Sequence, residues 1–462
     1  MRAVAEPRDI VVPTCSTDRL VRLVGPKRAS RLLAAAEGAR RSLDGRRVWN
    51  LSSTATGGGV AEMLHLLVGY ANDMGIDGRW VVIEADADFF AVTKRLHNRL
   101  HGTSGDDGDL GPPEATIYRS TLEANATALD RRVEPGDIVI LHDPQTAGLA
   151  DHLVSRGAHV VWRCHIGTDQ SNAFTREAWD FLLPHLAECH AYVFSRAAFV
   201  PSQLGEANVR IIKPSIDPLS PKNRYLPRDR VTHLLTGIGL MPGERFAPRT
   251  SVLGGAGPIS PGDRVVLQVS RWDHLKDMLG VLHGFSEHVA GRTDAKLALV
   301  GPSVEGVADD PEGAQVLAEC LDGWAELPQR VRDSVRLVAL PTEDLVANAL
   351  MVNATQRYAS VVVQKSLQEG FGLTVTEAMW KSRPVVASAV GGIVDQVPPG
   401  TGVLLEDPGD LDVFGRTLNT LLAQPEELSR LGRRARLHVR EHFLSDRHLI
   451  DYASLLESIS RE

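Results

Sequence analysis

The sequence predicts an α/β protein of two Rossmann-like domains, each built around a parallel β-sheet. Two series of short apolar strands, each strand followed by a polar or glycine-rich turn and a helical pattern, predict the two sheets. A proline- and glycine-rich stretch, residues 213–263, separates the series, and we place the domain boundary near residue 220. With 462 residues, each half is long enough to bury its own core.

The first informative element is the stretch 47–70, which combines a short strand, a glycine-rich turn and a helix. Apolar residues recur at i, i+3, i+4 and i+7 from Val60, which predicts one buried helix face. Glu62 occupies the place of the third glycine of the dinucleotide fingerprint, so the opening is Rossmann-like but predicts no dinucleotide site. Gly58 and Gly59 at the helix start are candidate contacts to a phosphate or sugar; tight strand-to-helix packing is the alternative.

A second strand, 80–83, leads into Asp86 and Asp88. Such a D-x-D pair can hold a divalent ion against a diphosphate. The alternative, which we favour, is that both aspartates lie at the N-terminus of the helix 89–100, where a negative charge is stabilised without a metal. The sequence therefore predicts no dedicated metal site and leaves Mg²⁺ open.

Polar clusters follow the next two strands of the N-terminal half. Asp143 and Gln145 come after the strand 137–141, and His165 comes after the strand 159–162. Ligands of open parallel sheets collect outside the carboxyl ends of the strands, so we expect both clusters to line one cleft. A single histidine in such a place is more often a core residue.

The second series of strands begins with the buried strand 265–269. Arg271 and Lys276 follow it at the start of a helix, where two cations would suit a diphosphate; a solvated basic surface is the alternative. Two further strands end at Gly301 and Leu340, which we predict to border a nucleoside. A strand near 403–405 and the helices after it complete the unit, and the final segment 448–459 has an apolar face.

Chemistry is most concentrated in the stretch from Gln364 to Gly392. Glu369 and Glu377 are eight residues apart, and between them a glycine loop leads into a helix for which we predict Thr374 as the N-cap and Glu377 in the first turn. Backbone amides at the start of a helix have no partner within the helix and bind anions such as a diphosphate. The two carboxylates could then accept hydrogen bonds from hydroxyl groups on either side of the diphosphate, as in a sugar nucleotide. Two solvated glutamates on an amphipathic helix are the alternative. The candidate donor contacts in the loop are Gly370, Phe371, Gly372, Leu373 and Thr374.

Composition excludes several classes of partner. The formal net charge of −8, from 50 basic and 58 acidic residues, argues against binding to nucleic acid or to anionic lipid. The four cysteines show neither C-x-x-C nor zinc-site spacing, which predicts reduced thiols. The first ten residues lack the apolar core of a signal peptide, and no apolar run has the length of a membrane span, so we expect a cytoplasmic protein.

Two sets of motifs carry a family resemblance. The pattern E-x7-E with FGLT inside it and AMWK after it resembles the donor-binding signature of retaining glycosyltransferases of the GT-B fold, in their family 4. Further motifs are similar to those of the trehalose synthases in that family, which join a nucleoside-diphosphate glucose to free glucose. These motifs are Trp49-Asn50, Gly57 to Glu62, Phe89-Phe90 with Thr93-Lys94, Trp162 to His165, Asp217-Pro218, Asp309 to Glu312 and Met351 to Ala354.

The resemblance implies that the two Rossmann-like domains face each other across a cleft and that each domain binds a different substrate. Residues 1–220, braced by the C-terminal helix 445–462, would bind the acceptor through Gly58, Asp143 and Gln145, and residues 221–444 would bind the donor, such as UDP- or ADP-glucose. It implies that Glu369 holds the glucosyl hydroxyls, Glu377 the ribose, and that Gly59 also contacts the donor. The residues implied to be catalytic are His165, Arg271, Lys276 and Glu369. The stretch 235–262 is longer than the family leads us to expect, and its role stays open.

Three other functions compete with this one. A glycosidase would use Glu369 and Glu377 as acid and nucleophile, but those roles need carboxylates on opposite sides of one bond. A trehalose phosphorylase would turn over glucose 1-phosphate, and a sugar-nucleotide sensor would bind without forming product. The sequence does not decide the nucleoside, the acceptor beyond the resemblance, or the number of chains, and it leaves a homodimer open.

Overall fold

The computed structural model describes residues 6–56, 58–205, 208–245, 251–255, 257–304 and 311–461. Gly57, Asp309 and Asp310, which contribute to the family resemblance, lie outside these ranges. The chain forms two compact units: Met1–Ser215 together with Phe443–Glu462 form the first, and Ile216–His442 form the second. Each unit has one seven-stranded sheet, which confirms the predicted α/β class with two Rossmann-like sheets.

The sheet of the first unit has the order β1-β3-β2-β4-β5-β6-β7, and every neighbouring pair is parallel except β1 with β3. All residues of β2 and β4 are buried, as expected for strands covered on both faces. The strands are β1 (Arg8–Asp9), β2 (Val48–Ser52), β3 (Gly78–Val82), β4 (Ile138–His142), β5 (His159–Cys164), β6 (Ala191–Phe194) and β7 (Val209–Ile211).

In the part of the chain that the structure describes, eight α-helices of the first unit precede the second unit. Asp86 caps α4 by accepting a hydrogen bond from the Phe89 amide at 2.9 Å, and Asp88 lies in the first turn, as the helix-start interpretation predicts. The helices are α1 (Thr17–Val24), α2 (Pro26–Leu43), α3 (Gly58–Asp73), α4 (Ala87–Leu100), α5 (Pro112–Leu129), α6 (Pro144–Ala147), α7 (Ala150–Ser155) and α8 (Ala173–Leu186).

The sheet of the second unit has the order β14-β13-β12-β9-β10-β11-β8, with only β8 antiparallel to its neighbour. The strands are β8 (Ser251–Gly254), β9 (Val265–Val269), β10 (Lys296–Pro302), β11 (Val335–Leu340), β12 (Val361–Gln364), β13 (Val385–Ser388) and β14 (Val403–Leu405). The stretch 235–262 therefore supplies an edge strand of this sheet.

Among the described residues, the second unit has nine α-helices. The predicted N-cap at Thr374 is wrong, because the helix begins at Leu373 behind Gly372, whose φ of 78° suits glycine, while the Thr374 hydroxyl donates to Gln364 Oε1 at 3.1 Å. Glu377 consequently lies beyond the first turn. The helices are α9 (Arg228–Gly237), α10 (Met278–His288), α11 (Pro311–Glu326), α12 (Gln329–Arg332), α13 (Leu345–Tyr358), α14 (Leu373–Trp380), α15 (Ile393–Gln396), α16 (Leu411–Leu422) and α17 (Pro425–His442).

The last helix, α18 (Ser445–Ile459), returns to the first unit. It packs on α2, where the Arg28 guanidinium donates to Asp446 Oδ1 at 2.6 Å, and its apolar face joins the core under β4 and β5 through Tyr452 and Leu456. Within the described part of the chain, no helix is both long and apolar enough to cross a membrane.

Candidate active site

In the second unit, the loops after β9 and β12 meet because these two parallel strands are neighbours in the sheet. Lys276 follows β9 and Glu369 follows β12, and the Lys276 ammonium donates to Glu369 Oε2 at 2.7 Å. Their side chains are 17% and 11% exposed, so the pair is sheltered but reachable. Two of the predicted site residues, 93 positions apart, are thus brought into direct contact.

The loop between β9 and α10 is fixed by two polar side chains that the sequence analysis did not select. The buried Gln268 donates from Nε2 to the Lys276 carbonyl at 2.7 Å, and Asp273 accepts from the Leu275 amide at 2.8 Å. Arg271 donates to Asp273 Oδ2 at 2.8 Å, but its side chain remains 61% exposed. The predicted cations therefore share one ordered loop, with Lys276 sheltered and Arg271 extended into solvent.

Gln396 in α15 holds the loop that carries Glu369. Its amide nitrogen donates to the carbonyl oxygens of Phe371 and Gly392, and its Oε1 accepts from the Thr376 amide at 3.1 Å. The side chain is fully buried, so these contacts face no competition from water. Gln396 was missed because only the tertiary fold brings it to the loop.

Gly391 allows the loop after β13 to approach the loop after β12. Its φ is 51°, and a Cβ at this position would overlap the carbonyl oxygen of Glu369. The Gly392 amide donates to the Gly370 carbonyl at 3.0 Å, which closes the contact between the two loops. Gly372 is the N-cap of α14, whose first amides have no carbonyl partner within the helix.

Glu377 is 5% exposed, so the alternative of a solvated glutamate is wrong at this position. It lies 3.8 Å from the ammonium of Lys222, and its carbonyl accepts a hydrogen bond from Lys381 at 3.1 Å. Burial lowers the pKa of Lys381 to about 7. Contact of Glu377 with a ribose stays a prediction.

Gly301 and Leu340 have evident packing roles. A Cβ on Gly301 would overlap the ring of Trp272, whose indole nitrogen donates to the Pro302 carbonyl at 2.8 Å. Leu340 is buried, and its carbonyl accepts from the Ser303 amide at 2.7 Å. The contact of Gly301 and Leu340 with a nucleoside stays a prediction.

In the first unit, the polar clusters after β4 and β5 meet as neighbouring strands predict. The His165 amide donates to Asp143 Oδ1 at 2.7 Å, and Gln145, two residues after Asp143, is half-buried in α6.

Asp143 has φ 61° and ψ 179°, a conformation that costs about 1–3 kcal/mol for a residue other than glycine. The Trp162 indole stabilises it by donating to the Asp143 carbonyl at 3.1 Å. Strained backbone of this kind is concentrated at functional sites.

The glycines at the start of α3 lie at the same edge of the first sheet, because α3 follows β2 and β2 pairs with β4. Gly58 has φ 81°, and a Cβ there would point into open space. Both Gly58 and Gly59 are exposed, so packing does not explain them. Contact with a ligand remains their predicted role.

His165 is linked to a second histidine, His142, which is buried. His165 Nε2 lies 3.0 Å from His142 Nδ1, and His142 Nε2 lies 3.1 Å from Asn50 Oδ1. Burial, helped by the nearby Arg163 guanidinium, lowers the pKa of His142 to about 3 and that of His165 well below its ordinary value. Burial raises the pKa of Asp143 to about 7. Both histidines are therefore neutral at pH 7.

These shifts predict an acid-sensitive first unit. In the folded protein the pKa values of three histidines are lowered, namely those of His142, His165 and His448. Below about pH 6.5 these histidines bind protons in the unfolded chain but not in the folded one. The free energy of unfolding therefore falls as the pH drops toward about 4. Asp143, with a raised pKa, acts oppositely, because its contribution to stability falls as the pH rises from about 4 to 7. Each group changes the unfolding free energy by up to about 1.4 kcal/mol per pH unit, and three histidines outweigh one carboxyl.

Urea midpoints measured between pH 7.5 and 5 check this prediction. We expect the midpoint to fall on acidification, less steeply in His448→Gln and more steeply in Asp143→Asn. Equal slopes in all three proteins would contradict the assignment.

Comparison with known proteins identifies the family of each half of the chain. A family model described as "Trehalose synthase, N-terminal domain" matches residues 50–201, and one described as "Glycosyl transferases group 1" matches residues 256–438. The trehalose synthase of Rubrobacter xylanophilus is 36% identical over 411 residues, covering 88% of this chain and 89% of that protein. The trehalose phosphorylase of Grifola frondosa is 25% identical. That match covers 84% of this chain and only 54% of the phosphorylase.

Among solved structures, the α,α-trehalose 6-phosphate synthase of Burkholderia multivorans superposes with a TM-score of 0.66 at 14% identity, covering 90% of this chain and 99% of that one. This likeness shows the GT-B fold and confirms the predicted fold class. The identity to trehalose synthases over most of both chains confirms the predicted family. The chain belongs to the trehalose synthase family of glycosyltransferases and is a hexosyltransferase.

Proposed function

We propose that the enzyme transfers an α-glucosyl unit from a nucleoside-diphosphate glucose to free glucose, with retention of configuration, and forms α,α-trehalose. The observation that carries the proposal is the contact of Lys276 with Glu369 at the edge of the second sheet. The Lys276 ammonium suits a phosphate oxygen, and the Glu369 carboxylate suits a sugar hydroxyl. A sugar nucleotide presents a phosphate and sugar hydroxyls within one molecule.

The chemical demand of the reaction is the negative charge of the departing diphosphate. A cation about 4 Å from a phosphate oxygen contributes roughly 4 kcal/mol at an effective dielectric constant near 20. Lys276 and Arg271 supply that charge, and the amides of Leu373 and Thr374 add neutral donors at the start of α14. Glu369 accepts hydrogen bonds from the glucosyl hydroxyls, and Glu377 binds the ribose.

The acceptor is assigned to residues of the first unit. Asp143 and Gln145 bind its hydroxyl groups together with Gly58 in this proposal, and His165 lies near the reacting centre. The strained backbone of Asp143 and its raised pKa support the choice of this residue, because both features are typical of functional carboxylates.

The four cysteines form no disulfide, which supports the expected cytoplasmic location.

The test is incubation of the purified protein with UDP-, ADP- and GDP-glucose against glucose, glucose 6-phosphate and other acceptors, with analysis for α,α-trehalose. We expect trehalose from at least one nucleotide sugar with free glucose, and the same product in the presence of EDTA. Turnover with glucose 1-phosphate alone would instead identify a phosphorylase, and binding of a nucleotide sugar without any product would identify a sensor.

A further inference from the structure

We propose that a chain of hydrogen bonds from the Arg79 carbonyl through Asn50 and His142 fixes the tautomer of His165, so that His165 Nδ1 is a bare acceptor for a hydroxyl group of the sugar substrate. Asn50 and His142 are then positioning residues, since both are buried and act only through His165. The identity of the substrate rests on the proposed function, whereas the tautomer does not.

The chain of hydrogen bonds has a fixed direction because it begins at a backbone carbonyl, which can only accept. Asn50 Nδ2 donates to the Arg79 carbonyl at 3.3 Å, so the amide nitrogen faces Arg79 and Oδ1 faces His142. Asn50 Oδ1 lies 3.1 Å from His142 Nε2 and can only accept. His142 Nε2 therefore carries the proton.

The same logic extends to His165. His142 is neutral, because burial lowers its pKa to about 3, and a neutral imidazole has a single N–H. With the proton on Nε2, His142 Nδ1 is an acceptor, so His165 Nε2, 3.0 Å away, must donate to it. The pKa of His165 is also lowered well below its ordinary value by burial and by the neighbouring Arg163, His142 and His448. His165 Nδ1 is therefore unprotonated.

This nitrogen is available to a ligand. His165 Nδ1 has no hydrogen-bond partner among the residues that the structure describes, and His165, whose backbone amide donates to Asp143, is partly exposed. A bare imidazole nitrogen accepts a hydrogen bond from a hydroxyl group and repels an oxyanion such as a phosphate. The fixed tautomer thus favours a neutral hydroxyl at this point over a phosphorylated position.

The direct test is a ¹⁵N spectrum of the ligand-free, full-length protein labelled at histidine, recorded at neutral pH. Protonated and bare imidazole nitrogens have well-separated ¹⁵N shifts, and the His165 signals are assigned by their loss in His165→Asn. We expect a proton on Nε2 and none on Nδ1. A proton on Nδ1, or a doubly protonated ring, would overturn the proposal.

A matched pair of variants tests the relay itself. Asn50→Leu removes the acceptor for His142 Nε2, so we expect His165 to lose its single tautomer and kcat/KM to fall by about tenfold, the effect of one misdirected hydrogen bond. The control, Asn125→Leu, removes a fully buried asparagine of α5 that bonds to Glu84 and hydrogen-bonds to neither histidine. It should leave the His165 signals and the kcat/KM of the folded protein unchanged.

Two outcomes separate this proposal from the proposed function. An unchanged His165 spectrum in folded Asn50→Leu would refute the relay even if the enzyme makes trehalose. A protein that makes no trehalose but has His165 in the expected tautomer would refute the function alone. If Asn50→Leu does not fold, the spectrum of the unmodified protein still decides the tautomer.

Discussion

We expect Lys276→Ala to lower kcat for trehalose formation by about a thousandfold while the protein remains folded. The Lys276 ammonium is the sheltered cation of the loop between β9 and α10. It lowers the activation free energy by roughly 4 kcal/mol if it contacts a phosphate oxygen mainly in the transition state. Removing it also leaves the carboxylate of Glu369, which is 11% exposed, with the Ser366 hydroxyl but without a positively charged partner. Steady-state kinetics with a nucleoside-diphosphate glucose and glucose measure the effect.

Lys296→Ala is the matched control for this variant. Lys296 is the first residue of β10, at the opposite end of that strand from the loops that carry Lys276 and Glu369. The same loss of charge there should leave kcat within about twofold, because a parallel strand rises about 3.3 Å per residue and the length of β10 exceeds a screening length of about 8 Å. A nearly normal kcat in Lys276→Ala would remove Lys276 from the mechanism.

Gly391→Ala should lower kcat/KM by about a hundredfold, although the residue touches no substrate in the proposed mechanism. An added Cβ would overlap the Glu369 carbonyl oxygen, so one of the two loops must move, and a displacement of about 1 Å at a reacting centre can cost a hundredfold. The rate of trehalose formation at low donor concentration is the measurement.

Gly291→Ala separates this clash from backbone strain. Gly291 also has a positive φ, of 84°, but a Cβ there would meet nothing within 4 Å. The control should lose about 1–2 kcal/mol of stability through its left-handed backbone and keep its activity. Equal kinetic losses in the two variants would show that strain, and not the contact with Glu369, causes the effect.

The sequence predicted the elements of the fold better than the contacts of the site. Buried strands such as β4 and β9 were evident, because short apolar runs bounded by polar turns suit a covered parallel sheet. The edge strand β8 was missed, since four residues in a glycine-rich stretch carry no distinctive pattern. The N-cap of α14 was misplaced because a left-handed glycine, which periodicity cannot reveal, begins the helix.

Residues that bind substrate in the proposal carry local signals, whereas residues that hold them do not. Glu369 could be selected from its spacing to Glu377, and Lys276 from its place after a strand. Gln396 and Lys365 could not be selected, because their role depends on contacts with distant segments: the buried Lys365 ammonium meets Asp277 and the Pro408 carbonyl. Such partners are set by the order of the strands in the sheet.

The return of α18 to the first unit has a consequence for biosynthesis. The segment 216–442 is continuous, so every residue of the second unit is synthesised before the residues that close the core under β4 and β5. The N-terminal unit must therefore wait with an uncovered apolar face, which is a risk for aggregation during translation. A fragment ending at residue 442 would keep that face permanently open, whereas the segment 216–442 contains every strand of its own sheet.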